Sequence, residues 1–195
     1  MKKTIFACSF GPDQWRVTDW RMVQSPRWDR ANHWRQETDH IRNDGPETEA
    51  GGTYTSMIHR AMLAGDFIVH ATMSFDERMA PLLVVGQPPA PLPDNKWAYG
   101  EHHELVLFDE GINLWHHTFA DGTPAWTLAA KWRFVVQAQR RYRLSLAWRA
   151  GTFGIFLDGS HIGDHPEPGR KPPCVAGLTA CEGTNRFYDF AIDSI

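Results

Sequence analysis

Tyr142-Arg143-Leu144-Ser145-Leu146-Ala147-Trp148-Arg149 leads into Gly151-Thr152-Phe153-Gly154-Ile155-Phe156-Leu157-Asp158-Gly159. In the first segment Tyr142, Leu144, Leu146 and Trp148 alternate with Arg143, Ser145, Ala147 and Arg149. Successive side chains of a strand point to opposite faces, so this alternation predicts a half-buried antiparallel strand. Gly151 turns the chain and residues 152–157 form the next strand. Asp158-Gly159 then closes a hairpin, because both residues tolerate positive φ.

The same period extends outward in both directions. Between residues 66 and 75, Phe67, Val69, Ala71, Met73 and Phe75 alternate with Ile68, His70, Thr72 and Ser74. Residues 185–195 form a closing strand with Phe187, Phe190 and Ile192 as core candidates. Further strands are expected at 16–19, 40–43, 53–60, 82–86, 101–108, 111–118, 134–138 and 177–182, and an opening strand begins near Lys2. No long helical period and no internal repeat appears. Many short strands separated by turn residues predict an all-β sandwich of two antiparallel sheets within a single domain spanning 1–195. Two proline-rich stretches, residues 87–94 and 165–173, are too short to link domains and are expected as stiff loops bordering a site.

Charge and composition exclude several classes. The 195 residues include 20 Lys and Arg against 23 Asp and Glu, a net charge of −3. With no basic excess to neutralise phosphates, nucleic acid is not expected as a partner. No stretch approaches the roughly 20 apolar residues of a membrane span. The apolar run after Met1-Lys2-Lys3 is broken by Ser9 and Gly11-Pro12-Asp13, shorter than a secretory h-region. That and the odd count of Cys8, Cys174 and Cys181 predict reduced thiols and a cytoplasmic protein. Nine Trp and ten His stand out: indoles stack on sugar rings as readily as they fill a core, and imidazole serves acid–base chemistry.

The order of strand, Asp-Gly hairpin, loop, Gly177-led strand and closing strand through Phe187-Tyr188-Asp189-Phe190 resembles that of concanavalin A-like lectin and glucanase domains. Within that superfamily the chain is similar to the YesU-like bacterial proteins, of largely undefined activity. Residues 99–117 and Asp19-Trp20-Arg21 fit that group, and the likeness covers nearly the whole chain. It implies a jelly roll with a saccharide on a concave sheet face, and a part in the intracellular breakdown of plant-polysaccharide fragments. One departure matters. Glucanases of this superfamily carry Glu-x-Asp-x-x-Glu on a strand, whereas the local counterpart is Glu101-His102-His103-Glu104. Alternation puts Glu101 with His103 on one face and His102 with Glu104 on the other. A retaining glycosidase needs two carboxyl groups about 5–5.5 Å apart, and this strand does not supply them.

The densest candidate site joins Tyr99-Gly100-Glu101-His102-His103-Glu104 to Asn113-Leu114-Trp115-His116-His117 across a hairpin turning at Asp109-Glu110-Gly111, which would set Glu101 to His103 near His116 and His117. Glu101, His103 and His116 are the candidate catalytic groups, with a His or Glu as general base. Tyr99, Trp115, Trp34, His59, Arg60 and His70 are candidate substrate-binding residues. Arg60 would pair with a uronate carboxylate, and neighbouring strands would bring His59 beside His70. The early segment around Trp28, Asn32, His33 and Trp34 suits saccharide stacking or anchors a loop. A transition metal on His and carboxylate is a further option, but no HExxH-type spacing supports it, and no metal or cofactor is assigned. The expected partner is an oligosaccharide, with uronate units fitting elimination and neutral sugars fitting hydrolysis. The alternative is a non-catalytic, galectin-like binder or accessory protein. Sheet edges leave homodimer formation open.

Overall fold

In the computed structural model, residues 2–24, 33–44, 54–77, 79–93, 96–120, 122–169 and 172–195 are described. Two antiparallel sheets pack face to face in a jelly-roll sandwich. The first sheet runs β15 (Ser160–Pro166), β14 (Thr152–Leu157), β13 (Tyr142–Arg149), β6 (Phe67–Phe75), β17 (Asn185–Phe187), β4 (Ile41–Asn43) and β3 (Trp34–Gln36). In the same sheet β18 (Asp189–Ser194) also pairs β6, and β1 (Lys3–Ser9) pairs β18. The second sheet runs β12 (Thr123–Arg133), β11 (Gly111–Ala120), β10 (His102–Phe108), β7 (Met79–Gly86), β16 (Val175–Cys181), β5 (Tyr54–His59) and β2 (Trp20–Met22). A two-stranded ribbon, β8 (Ala90–Pro91) with β9 (Trp97–Ala98), stands apart from both.

The alternation read from the sequence sets the core. Phe67, Val69, Ala71, Met73 and Phe75 of β6 are all buried, and Leu144, Leu146 and Trp148 of β13 join them. From the second sheet, Met57, Leu83, Val85, Leu105, Leu107, Ile112 and Leu114 meet that layer. The turns follow the expected chemistry. Asp158 and Gly159 have φ of 51° and 81°, and Ala150 and Gly151 have 47° and 80°; both pairs take the left-handed form that matches strand twist. The closing strand is broken in two at Tyr188, whose N–H turns away to the Thr72 carbonyl. Phe187, Phe190 and Ile192 are nevertheless fully buried, as expected.

Several expected elements differ. Residues 16–19 contain a short 3-10 helix, Val17–Asp19, and the strand starts at Trp20. Residues 134–138 form no strand: the Phe134 and Val136 N–H groups bond back to the Glu110 and Asp109 carbonyls, so this segment buttresses the turn between β10 and β11. The strand before it, β12, was not expected, because at the sheet edge its side chains are mostly exposed and carry no clean period. β15 likewise extends into the stretch expected as a loop from residue 165, and Pro166 is tolerated because β15 is an edge.

Phe153 of β14 is fully buried and touches both Trp148 and His103 across the sandwich. Phe153→Ala is expected to cost about 3–5 kcal/mol, from lost transfer energy and the cavity left behind. A urea titration of the variant against the parent checks this.

Candidate functional site

The site is organised by the hairpin of β10 and β11. Asp109-Glu110 forms its tip, with Phe108 opposite Gly111, His103 opposite His116 and His102 opposite His117. Gly111 is required at the tip: its φ is +133°, and a Cβ there would stand 2.0 Å from the Trp132 carbonyl oxygen. The expected turn and the expected juxtaposition of the four histidines are therefore present. Because the period is two, the two cross-strand pairs lie on opposite faces.

His103 and His116 stack at 4.2 Å with rings 8° from parallel, on the side facing the first sheet. His103 is buried against Phe153, and its Nε2 lies 3.1 Å from Glu167 Oε2, beyond the end of β15. Nε2–H of His116 meets Glu101 Oε1 at 2.8 Å. The expected group of Glu101, His103 and His116 is thus assembled, with Glu167 added, at the rim where the two sheets meet.

On the outer face of the second sheet, His102 and His117 stack at 4.5 Å with rings 11° from parallel. Glu104 lies between them and a distant strand. His117 Nε2–H donates to Glu104 Oε2 at 2.9 Å, and the Tyr54 hydroxyl donates to Oε1 at 2.8 Å. His102 Nε2 stands 3.6 Å from Oε1. Burial pushes the Glu104 carboxyl up, but the facing imidazoles of His102 and His117 outweigh this and hold it well below the usual carboxylate range. The Tyr54 hydroxyl and His117 Nε2–H thus both direct hydrogens at the Glu104 oxygens. Tyr99 stacks on His102 at 4.4 Å and shares a short hydrogen bond with Ser56, which also bonds Thr179. Gly86 sits opposite His102 in β7, where a Cβ would come within 2.4 Å of the His102 Cβ; its lack of a side chain leaves room for the imidazole.

Two hollows flank this polar centre. The smaller, about 320 Å³, is lined by Glu104, Asn113, Trp115, His117, Trp126 and Glu182 among others. The larger, about 520 Å³, is lined by Trp15, Trp34, Trp97, Lys96, His33 and Ser56 among others. Ser56 and Tyr54 alternate with the core residue Met57 on β5, so the larger hollow, the Glu104 centre and the smaller hollow follow one another across one sheet face. Three indoles line one hollow and two the other, which accounts for much of the tryptophan excess.

The remaining expected residues divide. Tyr99 and Trp115 lie on this face and Trp34 on the wall of the larger hollow. His59 does not: it stacks on Phe6 at 3.7 Å, abuts Trp20, and its Nδ1 accepts the Ala61 N–H. Arg60 is exposed and bonds the Thr18 carbonyl. His70 belongs to β6, on the outer face of the first sheet beside Asp193, so His59 and His70 lie in different sheets and are not brought together. β5 and β6 are consecutive in sequence, but the chain crosses between layers there, which strand spacing does not reveal. Trp28 and Asn32 lie outside the described residues. His102, Glu104 and His117 lay within the expected cluster without an assigned role, and Tyr54 was not expected there. The first three share a face by alternation and register; nothing local marks Tyr54, 50 residues away. Two groups of three have ligand atoms all within 4.8 Å of one another and could hold a metal: His102, Glu104 and His117, and His103, His116 and Glu167.

No family model matches the chain, and no curated protein matches it. Solved structures do. The carbohydrate-binding module CBM66 from Bacillus subtilis matches with a TM-score of 0.67 and 15% identity, over 90% of this chain and 96% of that one. The β-agarase A of Zobellia galactanivorans matches with a TM-score of 0.69 and 8% identity, over 100% and 92%. The carbohydrate recognition domain of Emp47p matches with a TM-score of 0.63 and 10% identity, over 97% and 96%. The fold is thus the two-sheet jelly-roll sandwich that these three structures share.

Burial lowers the pKa of both His59 and His70 from the ordinary 6.5, against the opposing charges of Asp19 and of Asp193 respectively. Below pH 6.5 the unfolded chain then binds more protons than the native state. Their contribution is fully present above that pH and lost as pH falls through the folded values. Urea midpoints measured from pH 7.5 to 5 are expected to fall, and His70→Gln to flatten the fall.

Proposed function

We propose that the protein binds a short oligosaccharide across the outer face of the second sheet, spanning the two hollows on either side of Glu104. The observation that carries this is the placement of five indoles around two largely apolar hollows that each present a few polar side chains. An indole covers the apolar face of a sugar ring, while Asn113, Glu182 and Ser56 are placed for its hydroxyls. Neighbouring strands are about 4.8 Å apart, so a chain of a few sugar rings fits the width from β11 to β2. The binding module and the agarase of the same fold support the reading. Lys96 on the larger hollow supports a uronate-containing ligand, in the role first sought for Arg60.

Cleavage of the bound sugar is a second reading, favoured by the carboxylate clamped by imidazole and phenol at the hollow's floor. Elimination is the chemistry we favour over retaining hydrolysis, since Glu101 and Glu104 lie on opposite faces of the sheet and do not form a carboxylate pair. Glu101, His103 and His116 are the other proton-transfer group in play. A cytoplasmic setting, in which the thiols Cys8, Cys174 and Cys181 would stay reduced, is part of the proposal.

Incubation with neutral and uronate-containing oligosaccharides, followed by mass spectrometry and calorimetry, tests both readings. Saturable binding is expected, weakened about tenfold by Trp115→Ala or Trp126→Ala. Products lacking the added water mark elimination and those carrying it mark hydrolysis. Intact sugar with retained binding leaves a pure binder, and no binding across the panel overturns the proposal. If products form, single replacement of Glu101, His103 and Glu104 tells which group acts.

A further inference from the structure

His102 is buried almost completely, at 1% exposure, and its two ring nitrogens are in different situations. Nδ1 lies 2.7 Å from the Gly100 carbonyl oxygen. A carbonyl oxygen only accepts, so Nδ1 carries the hydrogen. In the neutral ring Nε2 is then a bare lone pair. It has no hydrogen-bond partner among the described residues, yet it points at the Glu104 carboxyl oxygens, 3.6 Å from Oε1. Two electron-pair donors held face to face in a dry setting repel each other unless something positive lies between them. His117 Nε2 converges on the same carboxylate from the neighbouring strand.

We propose that His102, His117 and Glu104 form the binding site of a zinc-class divalent cation on the floor of the smaller hollow. The donor set is two imidazole nitrogens and one carboxylate, the set that suits a borderline-soft cation. A tetrahedral ion with arms of about 2.0–2.2 Å spaces its donor atoms about 3.3–3.6 Å apart. With one donor atom taken from each residue, the three donors lie within 4.8 Å of one another, close enough to be drawn onto one ion. The supporting contacts are those a ligand shell needs. The Gly100 carbonyl fixes the tautomer of His102, and the Tyr54 hydroxyl orients Glu104. Gly86 leaves the space in which the His102 ring stands. Glu104 and His117 also line the smaller hollow, so a further coordination position opens toward Trp115, Asn113 and Trp126. That places the cation where a carboxylate or hydroxyl of a ligand in the hollow can reach it. The cation site goes beyond the sugar reading and does not depend on it.

The test needs no sugar. The full chain is stripped with a chelator, dialysed, and titrated with Zn²⁺ by calorimetry, with Ca²⁺ as a hard-cation control. Zinc uptake is expected without calcium uptake, and a hundredfold excess over Kd is expected to raise the melting midpoint by roughly 5–10 °C. His102→Ala and the isosteric Glu104→Gln are each expected to weaken zinc binding by about a hundredfold or more. No zinc uptake by the native chain overturns the proposal. So does uptake unchanged in both variants, or uptake lost in His116→Ala but kept in Glu104→Gln, which would place the ion on the other histidine pair. Should the variants fail to fold, Co²⁺ bound to the native chain decides. Stronger broadening of the Trp115 indole N–H signal than of the Trp148 signal supports the site, and the reverse overturns it.

Discussion

The pairing register of β10 with β11 is the constraint on which the site depends. A two-residue tip at Asp109-Glu110 and an obligatory glycine after it leave the hairpin one alignment. That alignment sets His102 against His117 and His103 against His116. It also puts Leu105, Leu107, Ile112 and Leu114 into the core, so the hydrophobic effect enforces the same register as the turn. A slip of one residue would bury Glu104 between the sheets and turn four core side chains outward. The polar centre is therefore held in place by apolar packing on the reverse side of the same strands.

The two polar groups differ in what they connect. The pair on the core-facing side reaches Glu167 at the end of β15, so it ties the second sheet to the first at the sandwich rim. The pair on the outer face reaches Tyr54 of β5, which lies three strands from β10 within one sheet. Crossing β7 and β16 in this way requires small residues beneath the contact, and Gly177 and Thr179 occupy that part of β16. The fold thus uses one histidine pair between layers and the other along a layer.

The sandwich was legible because several strands, above all β6 and β13, have one face apolar without exception. The site was only half legible for the opposite reason. In β10, Leu105-Val106-Leu107-Phe108 is apolar on both faces, so alternation separates Glu101 and His103 from His102 and Glu104 but does not say which pair faces out. Val106 and Phe108 pack on the outer face, beside Leu82 and Arg133 respectively, so hydrophobicity there does not mean core. Tyr54 and Ser56 depend on the order β10-β7-β16-β5, a long-range arrangement with no local signature. The edge strands β12 and β15 escaped for a related reason: a strand with one neighbour is solvated on more sides and loses its period.

The exposed strand β12 has one more consequence. An edge offers unsatisfied amide and carbonyl groups to any other extended chain. Pro124 withholds one donor near its start, and Lys131 and Arg133 place charge near its end, but Trp126 and Leu128 lie exposed between these guards. Trp126 is at the same time a wall of the smaller hollow. A strand laid along this edge from any source would alter the mouth of that hollow. Colloidal behaviour and ligand access are therefore coupled properties of this molecule, governed by the same four or five residues.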